Sequence, residues 1–478
     1  MKRLLFSVLA IVSFASSGVS APHSQEPYQI FQLTENPIDW DAGAPKINDN
    51  GWITWGQIYW GDNPYQDDFI HLYDGMESSS IAACDYFDET HEALDINNVG
   101  HVVWEAASEE GQGNQQIFLY DGENVVQISD DSHGASGNYR PRINDNGEVV
   151  WSGQGIWFYD GVDATRISDS GGGPEINNLG QVAWLYYDGS VSDVYFYDGT
   201  AVIQLTDNSN TNGDAAMLSP LSDGGYLAWS GRVDGADWEV FLYDGNDIAQ
   251  LTNNDIDDAG PKTNASGHVA WYSTTFDFNC DIWEIFVYDG LTITQLTDDD
   301  QCDFDPKIND DGRIVWSSRP DLGTGLQYFL TEIYVHDGSG VTQVTNNVRQ
   351  DIDAEINNDG FLVWKSVWYD FETESAIQDI FLGVPCSAEA DYDGDGYMSP
   401  TCGGDDCNDQ NPFVNPGATE IPGNGIDDDC DVSSPTWGTP ASVVPSRHKE
   451  SSGFVNPVLS LIIPIGGVLL LRILHMKR

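Results

Sequence analysis

The sequence predicts an all-β protein. Its main body reads as an eight-bladed β-propeller of four-stranded antiparallel blades, closed by the N-terminal strand. A small disulfide- and calcium-bearing module and a C-terminal transmembrane segment follow. Three observations lead there. First, a phrase ending in tryptophan occurs eight times, for example "INDNGWITW" (47–55), "INDNGEVVW" (143–151) and "INNDGFLVW" (356–364). The closing residues are Trp55, Trp104, Trp151, Trp184, Trp229, Trp271, Trp316 and Trp364, spaced 49, 47, 33, 45, 42, 45 and 48 apart. A repeat near 45 residues is one supersecondary unit stacked on its copies. Second, another phrase alternates with the first: "IFLYDGENVVQIS" (117–129), "VFLYDGNDIAQLT" (240–252) and "IFVYDGLTITQLT" (285–297). Third, 49 glycines and 12% aromatic residues suit many short strands and tight turns.

Within each unit the first strand runs into Ile-Asn. An Asn/Asp/Gly turn follows, because glycine supplies the positive φ of a hairpin. The second strand ends in the tryptophan, and a variable loop leads to the third, such as "IFLY". Asp-Gly then turns the chain into the fourth, such as "VVQIS". Seven aspartates, from Asp74 to Asp337, occupy this last turn and are expected to shape it rather than form a site. The eighth unit lacks a fourth strand after "DIFLG" (379–383), whereas an orphan strand, "YQIFQLTEN" (28–36), precedes the first unit. The N-terminal strand should therefore complete the last blade and remove an exposed sheet edge.

The pattern "D..P.IN..G.VVW … IFLYDG … QLT" resembles the TolB-type propeller repeats of bacterial exported proteins over residues 28–384. The proline of that pattern is matched by Pro45, Pro141, Pro174, Pro220, Pro261 and Pro306. The resemblance implies a scaffold for protein or ligand contacts. Catalytic relatives carry an added hydrolase domain, and none is expected here. Propellers host many functions, so activity must be argued from sites.

Two kinds of connection should share one face of the ring. The loops between second and third strands are long and aromatic, and offer Tyr59, Trp60, Phe278, Trp283, Trp368 and Tyr369 as a weak recognition surface. Aromatics beside carboxylates suit a glycan or a protein partner, although local packing is the blander reading. The blade-to-blade connections are acidic: "TNNDIDDAGP" (252–261), "TDDDQCDFDP" (297–306) and "TNNVRQDIDAE" (345–355). Each has oxygen donors for a hard cation, but none has the spacing of a known calcium loop. Cys280 and Cys302 fall in neighbouring loops and are expected to pair, leaving Cys84 as a free thiol. Enzyme signatures are missing. His91-Glu92 lacks the second histidine of a zinc helix, and "HGASG" (133–137) misses the nucleophile elbow. No catalytic residue is assigned, and the protein is read as a non-enzyme.

Residues 386–431 read as a separate module. Asp391, Asp393 and Asp395 alternate before Gly396, as in the first half of an EF-hand loop. Cys402 stands where the closing glutamate belongs, so Asp405, Asp406, Asp409 and Glu420 are candidates to complete the shell. Asp427, Asp429 and Asp431 supply a further cluster, and Tyr397 is included as a carbonyl donor position. Cys386, Cys402, Cys407 and Cys430 allow three pairings, which the sequence leaves open. The words "D.DGDGY", "DDC.D", "NPGA.E" and "D.DCD" resemble the MopE-type metal-binding repeat of secreted bacterial proteins, which implies metal binding. That family's cysteine after "NPGATE" is replaced by Ile421-Pro422. The expected ion is Ca²⁺.

With 77 acidic against 18 basic residues, the net charge is −59. Such a chain repels nucleic acid and attracts cations; solvation in salty surroundings explains the same charge. Residues 1–21 have the three-part layout of a secretory signal peptide. Residues 22–385 form the propeller, 386–432 the calcium module and 433–453 a Ser/Pro-rich spacer. Residues 454–478 form a hydrophobic segment with a basic end, read as a membrane anchor or sorting signal. The whole reads as an exported cell-envelope protein for binding or adhesion. The alternatives are a polysaccharide-active envelope enzyme and a structural surface-layer component.

Overall fold

The computed structural model describes residues 28–37, 40–59, 68–84, 94–107, 114–133, 137–187, 191–208, 214–232, 237–274, 283–320, 330–370 and 375–386 of the ring. Beyond the ring it describes 395–397, 402, 404–408, 411–421 and 426–430. Eight antiparallel sheets lie in sequence around a central axis, seven of four strands and one whose innermost strand is split in two. Seven blades are built from consecutive strands. The eighth orders Tyr28–Gln32 beside Ser375–Pro385, then Leu362–Asp370, then Gln350–Ile356. Tyr28 faces Pro385 and Gln32 faces Phe381, so the N-terminal strand closes the ring as the strand count requires.

Each blade tryptophan is the core residue of its sheet. All eight are at most 2% exposed. Each stacks or packs on the third strand of its own blade, as Trp271 does on Phe286 at 5.9 Å and Trp364 on Phe381 at 5.9 Å. Small β-branched neighbours such as Val102, Val149, Val182 and Val269 fill the space toward the preceding blade and are fully buried.

The Asp-Gly turns are shape. Asp121 Oδ1 accepts the backbone N–H of Glu123 (2.9 Å) and Asn124 (2.7 Å), and the same pair of bonds recurs at Asp160, Asp198, Asp244 and Asp289. These backbone bonds hold the Asp121 and Asp289 carboxyls below the usual range. Gly122 has φ 94°, and nothing lies within 4 Å of where its Cβ would be, so backbone conformation alone demands glycine. The tyrosine of the phrase closes the turn, since Tyr120 Oη donates to the Gly122 carbonyl at 2.8 Å.

The "QLT" words carry a second device, which joins blades. In blade seven Thr345 Oγ1 accepts the Ile333 N–H at 2.9 Å, and Asn347 N–H donates to Glu332 Oε1 at 2.8 Å. Asn347 Nδ2 crosses to the first strand of blade eight and donates to Asp351 Oδ2 at 2.7 Å. Blade five repeats the arrangement with Thr252, Glu239, Asn254 and Asp258. Between blades two and three the carboxyl groups are replaced by amides: Asn138 Nδ2 donates to Gln116 Oε1 at 2.9 Å, and Ser129 takes the place of threonine.

Removing residues 28–34 deletes five register pairs, each worth ~1 kcal/mol net. The truncated chain is expected to lose its cooperative melt, measured by circular dichroism; a native melting curve would refute the closure. Burial raises the Glu332 carboxyl to about 7, with Asp351 adding to the shift. The folded state therefore holds a proton that the unfolded chain releases near pH 4.5, and this contribution to stability is lost as pH rises toward 7. Glu332→Gln copies the amide that Gln116 supplies in blade two. It should flatten the melting temperature between pH 4.5 and 7 and raise it at pH 8.

Candidate metal centre and channel mouth

The acidic module owes its shape to two disulfides and a few short turns. Cys386 pairs with Cys402 and Cys407 with Cys430, which selects one of the three possible connectivities. Asn415 organises the loop between them. Its N–H donates to the Asp428 carbonyl at 3.0 Å, its Oδ1 accepts from Gly417 N–H at 2.8 Å, and its carbonyl accepts from Ala418 N–H at 2.9 Å. Asp428 then fastens the acidic strip. It is buried, its Oδ2 accepts from Ile421 N–H at 2.9 Å, and its own N–H donates to Glu420 Oε2 at 2.9 Å. Asp428 is therefore a structural residue at the heart of the cluster, and its neighbours on either side are left to face the site.

One oxygen from each of Glu420, Asp427 and Asp429 lies within 4.8 Å of the others. Glu420 Oε1 is buried without a hydrogen-bond partner. Three carboxylates at this separation, one with an unsatisfied buried oxygen, fit a hard cation that takes oxygen ligands. Asp406, Cys407 and Cys430 also approach one another, but the two cysteines are bonded together and offer no thiolate. Asp406 is fully buried and its Oδ1 accepts from Asn408 N–H at 2.8 Å. Asp395 Oδ1 accepts from Tyr397 N–H at 2.9 Å, beside Gly396 at φ 97°. Asp405 is exposed. Asp391, Asp393, Asp409 and Asp431 lie outside the described residues.

At the centre of the ring the Ile-Asn words make a second feature. Asn48 Oδ1 accepts the backbone N–H of Asn50 (3.0 Å) and Trp52 (2.9 Å), which caps its own turn. Its Nδ2 crosses to the Asn97 carbonyl at 2.9 Å. Asn97, Asn144, Asn177, Asn264, Asn309 and Asn357 each make the same crossing to the next blade, and Asn357 returns to Asn48. Ser222 stands in blade five and caps its turn with a hydroxyl. The next residue in each blade forms an outer circle: Asp49, Asn98, Asp145, Asn178, Asp223, Ala265, Asp310 and Asn358. Asn98 Nδ2 donates to both Asp49 and Asp145 at 3.1 Å, and Asn178 Nδ2 to both Asp145 and Asp223 at 2.8 Å. A cavity of about 220 Å³ opens here, bordered by Asp49, Asn98, Asp145, Asn178 and Asp223.

Deeper in the channel, charges of opposite sign meet. Lys46 pairs with Glu355 at 2.5 Å, Lys307 with Asp305 at 2.6 Å and Arg142 with Glu175 at 3.4 Å. Burial and the Lys307 charge hold the Lys262 ammonium below its usual range. The turn bonds align Ser222 with Asn48, so Pro220 occupies the place of Lys46 and Ser219 that of the repeat proline. The match of Pro220 to the proline pattern is therefore corrected by one residue.

Of the aromatic candidates, Tyr59 and Trp283 are partly buried and engaged in packing. Tyr59 lies 5.0 Å from Trp40, and Trp283 stacks on Tyr272 at 5.7 Å beneath Arg319. Trp368 is 38% exposed on the longest pair of strands among the described residues, where it faces Ile377, with Tyr369 beside it. Trp60 and Phe278 lie outside the described residues, as do Cys280 and the side chain of Cys84; Cys302 is disulfide-bonded. The signal-peptide and C-terminal segments lie outside them too, and among the described residues no helix is long and apolar enough to cross a membrane.

The family model Cu-binding_MopE, described as "Putative metal-binding motif", matches residues 406–433. The chain's ring is similar to the β-propeller domain of the trilobed protease from Pyrococcus furiosus, with 12% identity, TM-score 0.44, 64% of this chain and 98% of that one. It is also similar to dipeptidyl peptidase 4 of Porphyromonas gingivalis, with 11% identity, TM-score 0.48, 71% of this chain and 59% of that one. TolB from Acinetobacter baumannii is a further neighbour, with 11% identity, TM-score 0.33, 64% of this chain and 79% of that one. Among curated protein sequences none matches this chain.

Proposed function

We propose that this is an exported cell-envelope binding protein whose C-terminal module holds calcium and whose propeller presents a surface to a protein or glycan. The observation that carries the metal reading is the convergence of Glu420, Asp427 and Asp429 within the matched motif. The name of that family speaks of copper. Here the donors are carboxylate oxygens and the nearby cysteines are oxidised, which favours calcium over a soft or nitrogen-seeking metal. The two disulfides suit an oxidising compartment.

The partner surface is placed on the face of the second-to-third loops. The blade-eight hairpin supports this, because its long second and third strands carry an exposed tryptophan, Trp368. A non-catalytic role agrees with a channel whose charges are spent on one another. Anchoring through the C-terminal segment is the remaining part of the proposal.

Calorimetric titration of the full chain with CaCl₂ tests the metal site. The double variant Asp427→Asn/Asp429→Asn should weaken binding at that site at least ~10-fold, as expected on removing two charged ligands. Unchanged calcium binding in the variant, or tighter binding of Cu²⁺ than of Ca²⁺ by the native chain, would overturn the reading.

A further inference from the structure

One level of the channel pairs its charges between blades, and one ammonium is left over. The level is set by the residue two places before each asparagine that crosses to the next blade. Signs alternate there over the first four blades, through Lys46, Asp95, Arg142 and Glu175. Pro220 breaks the alternation in blade five. Lys262 and Lys307 then stand side by side in blades six and seven, before Glu355 restores the negative sign in blade eight. Lys46 is matched by Glu355 at 2.5 Å and Arg142 by Glu175 at 3.4 Å. Lys307 turns to its own strand instead and takes Asp305, two residues earlier, at 2.6 Å. Asp305 reaches it from a bulge with φ 52°, a left-handed conformation that is costly for any residue but glycine.

In blade six the bulge is the same and the acid is missing. Gly260 stands two residues before Lys262, with φ 60°. A Cβ there would lie 2.7 Å from the Tyr272 ring, so no side chain can play the part of Asp305. On the blade-five flank Pro220 is exposed and carries no charge. Among the described residues Lys262 has neither an ion pair nor a hydrogen bond. The carboxylates that act on it from farther away, Asp305, Glu175 and Glu355, are each held by another cation. Lys262 is only partly buried, so the lumen reaches it.

We propose that Lys262 marks a binding site in the channel for a small organic monocarboxylate, whose carboxylate pairs with the ammonium and whose apolar part lies against blade five. One unmatched positive charge calls for one negative charge. A sulfate or phosphate would bring a second into a lumen that already holds Asp305, Glu175 and Glu355. Pro220 gives the ligand an apolar wall beside Lys262. Met217, three residues earlier, is 41% exposed and left-handed at φ 52°, and adds a second apolar group on the same blade. Burial and the Lys307 charge hold the Lys262 ammonium below its usual range, a burden that a bound anion relieves. The site is independent of the C-terminal module and goes beyond the binding surface proposed above.

The test titrates the full chain at neutral pH with N-acetylleucine, followed by ligand-observed NMR, beside N-acetylleucinamide and sulfate. The native chain should bind the acid, and bind the amide and sulfate at least ~10-fold more weakly, as expected when a charge-assisted contact is lost. Lys262→Met should lose the acid to the same extent. It should melt no lower than the native chain, because the ammonium has no partner to lose. Pro220→Glu supplies the carboxylate that the alternation lacks, and it should displace the acid as well. A pentapeptide ending in leucine, with a free or an amidated end, separates two sources of the ligand. Binding of its free-acid form assigns the site to chain ends, and binding of N-acetylleucine alone assigns it to free acids. A native chain that ignores N-acetylleucine, or binds acid and amide alike, would overturn the proposal. So would full binding of the acid by Lys262→Met.

Discussion

Each asparagine of the central belt uses its two ends differently, and the ring depends on that division. The carbonyl end caps the turn that ends the innermost strand, while the amide end reaches the main chain of the next blade, as Asn48 does toward Asn97 and Asn357 toward Asn48. A turn and a blade-to-blade bond are thereby fixed by one side chain. The geometry of one turn then determines where its neighbour must sit. Because the groups are buried, a missing link costs more than an exposed hydrogen bond would. Everything farther out, from the tryptophan cores to the Asp-Gly hairpins, is hung on blades positioned this way.

The circle just outside the belt adds a constraint of parity. Aspartate and asparagine alternate from Asp49 through Asp223, and each asparagine amide bridges two carboxylates. Asn358 resumes the pattern between Asp310 and Asp49. Such an alternation closes only on an even number of blades. With an odd number two carboxylates or two amides would stand side by side. Ala265 interrupts it beside Asp223, in the same blade pair where Ser222 interrupts the belt and where a Cβ on Gly224 would lie 2.2 Å from the Ala265 carbonyl. At the belt, blades five and six therefore meet by close approach instead of by an asparagine amide, and their side-chain link lies farther out, from Asn254 to Asp258. In this circle acid is matched to amide donor, which is how a chain of net charge −59 holds together at its centre.

Much of this architecture was legible in the sequence because it rests on period and on local chemistry. The eight tryptophans fixed the number of blades, and the unmatched strand at 28–36 showed how the ring closes. The Asp-Gly turns read correctly as shape, since aspartate and glycine act there on their own backbone. Contacts between copies were harder. The asparagines looked like turn residues, and nothing within one unit shows that an amide crosses to the next; only the alternation of Asp49, Asn98, Asp145 and Asn178 down the copies carries that signal. Pro220 was matched to the wrong column because blade five has an irregular first strand. In the module Glu420, Asp427 and Asp429 were singled out from the sequence, but Glu420 was assigned to the shell of Asp391, Asp393 and Asp395; its meeting with Asp427 and Asp429 and the structural role of Asp428 depend on a fold-back that spacing does not reveal.

The claim that the belt, and not only its turns, holds the ring is tested most directly by Asn357→Ser, studied by equilibrium denaturation. Ser222 shows that a hydroxyl suffices to cap this turn. The substitution therefore removes the amide that crosses to Asn48 and leaves the cap in place. A loss of about 1 kcal/mol or more, with an unchanged denaturant slope, is the predicted result. Native stability in the variant would contradict the account, since the asparagines would then be turn residues and nothing more.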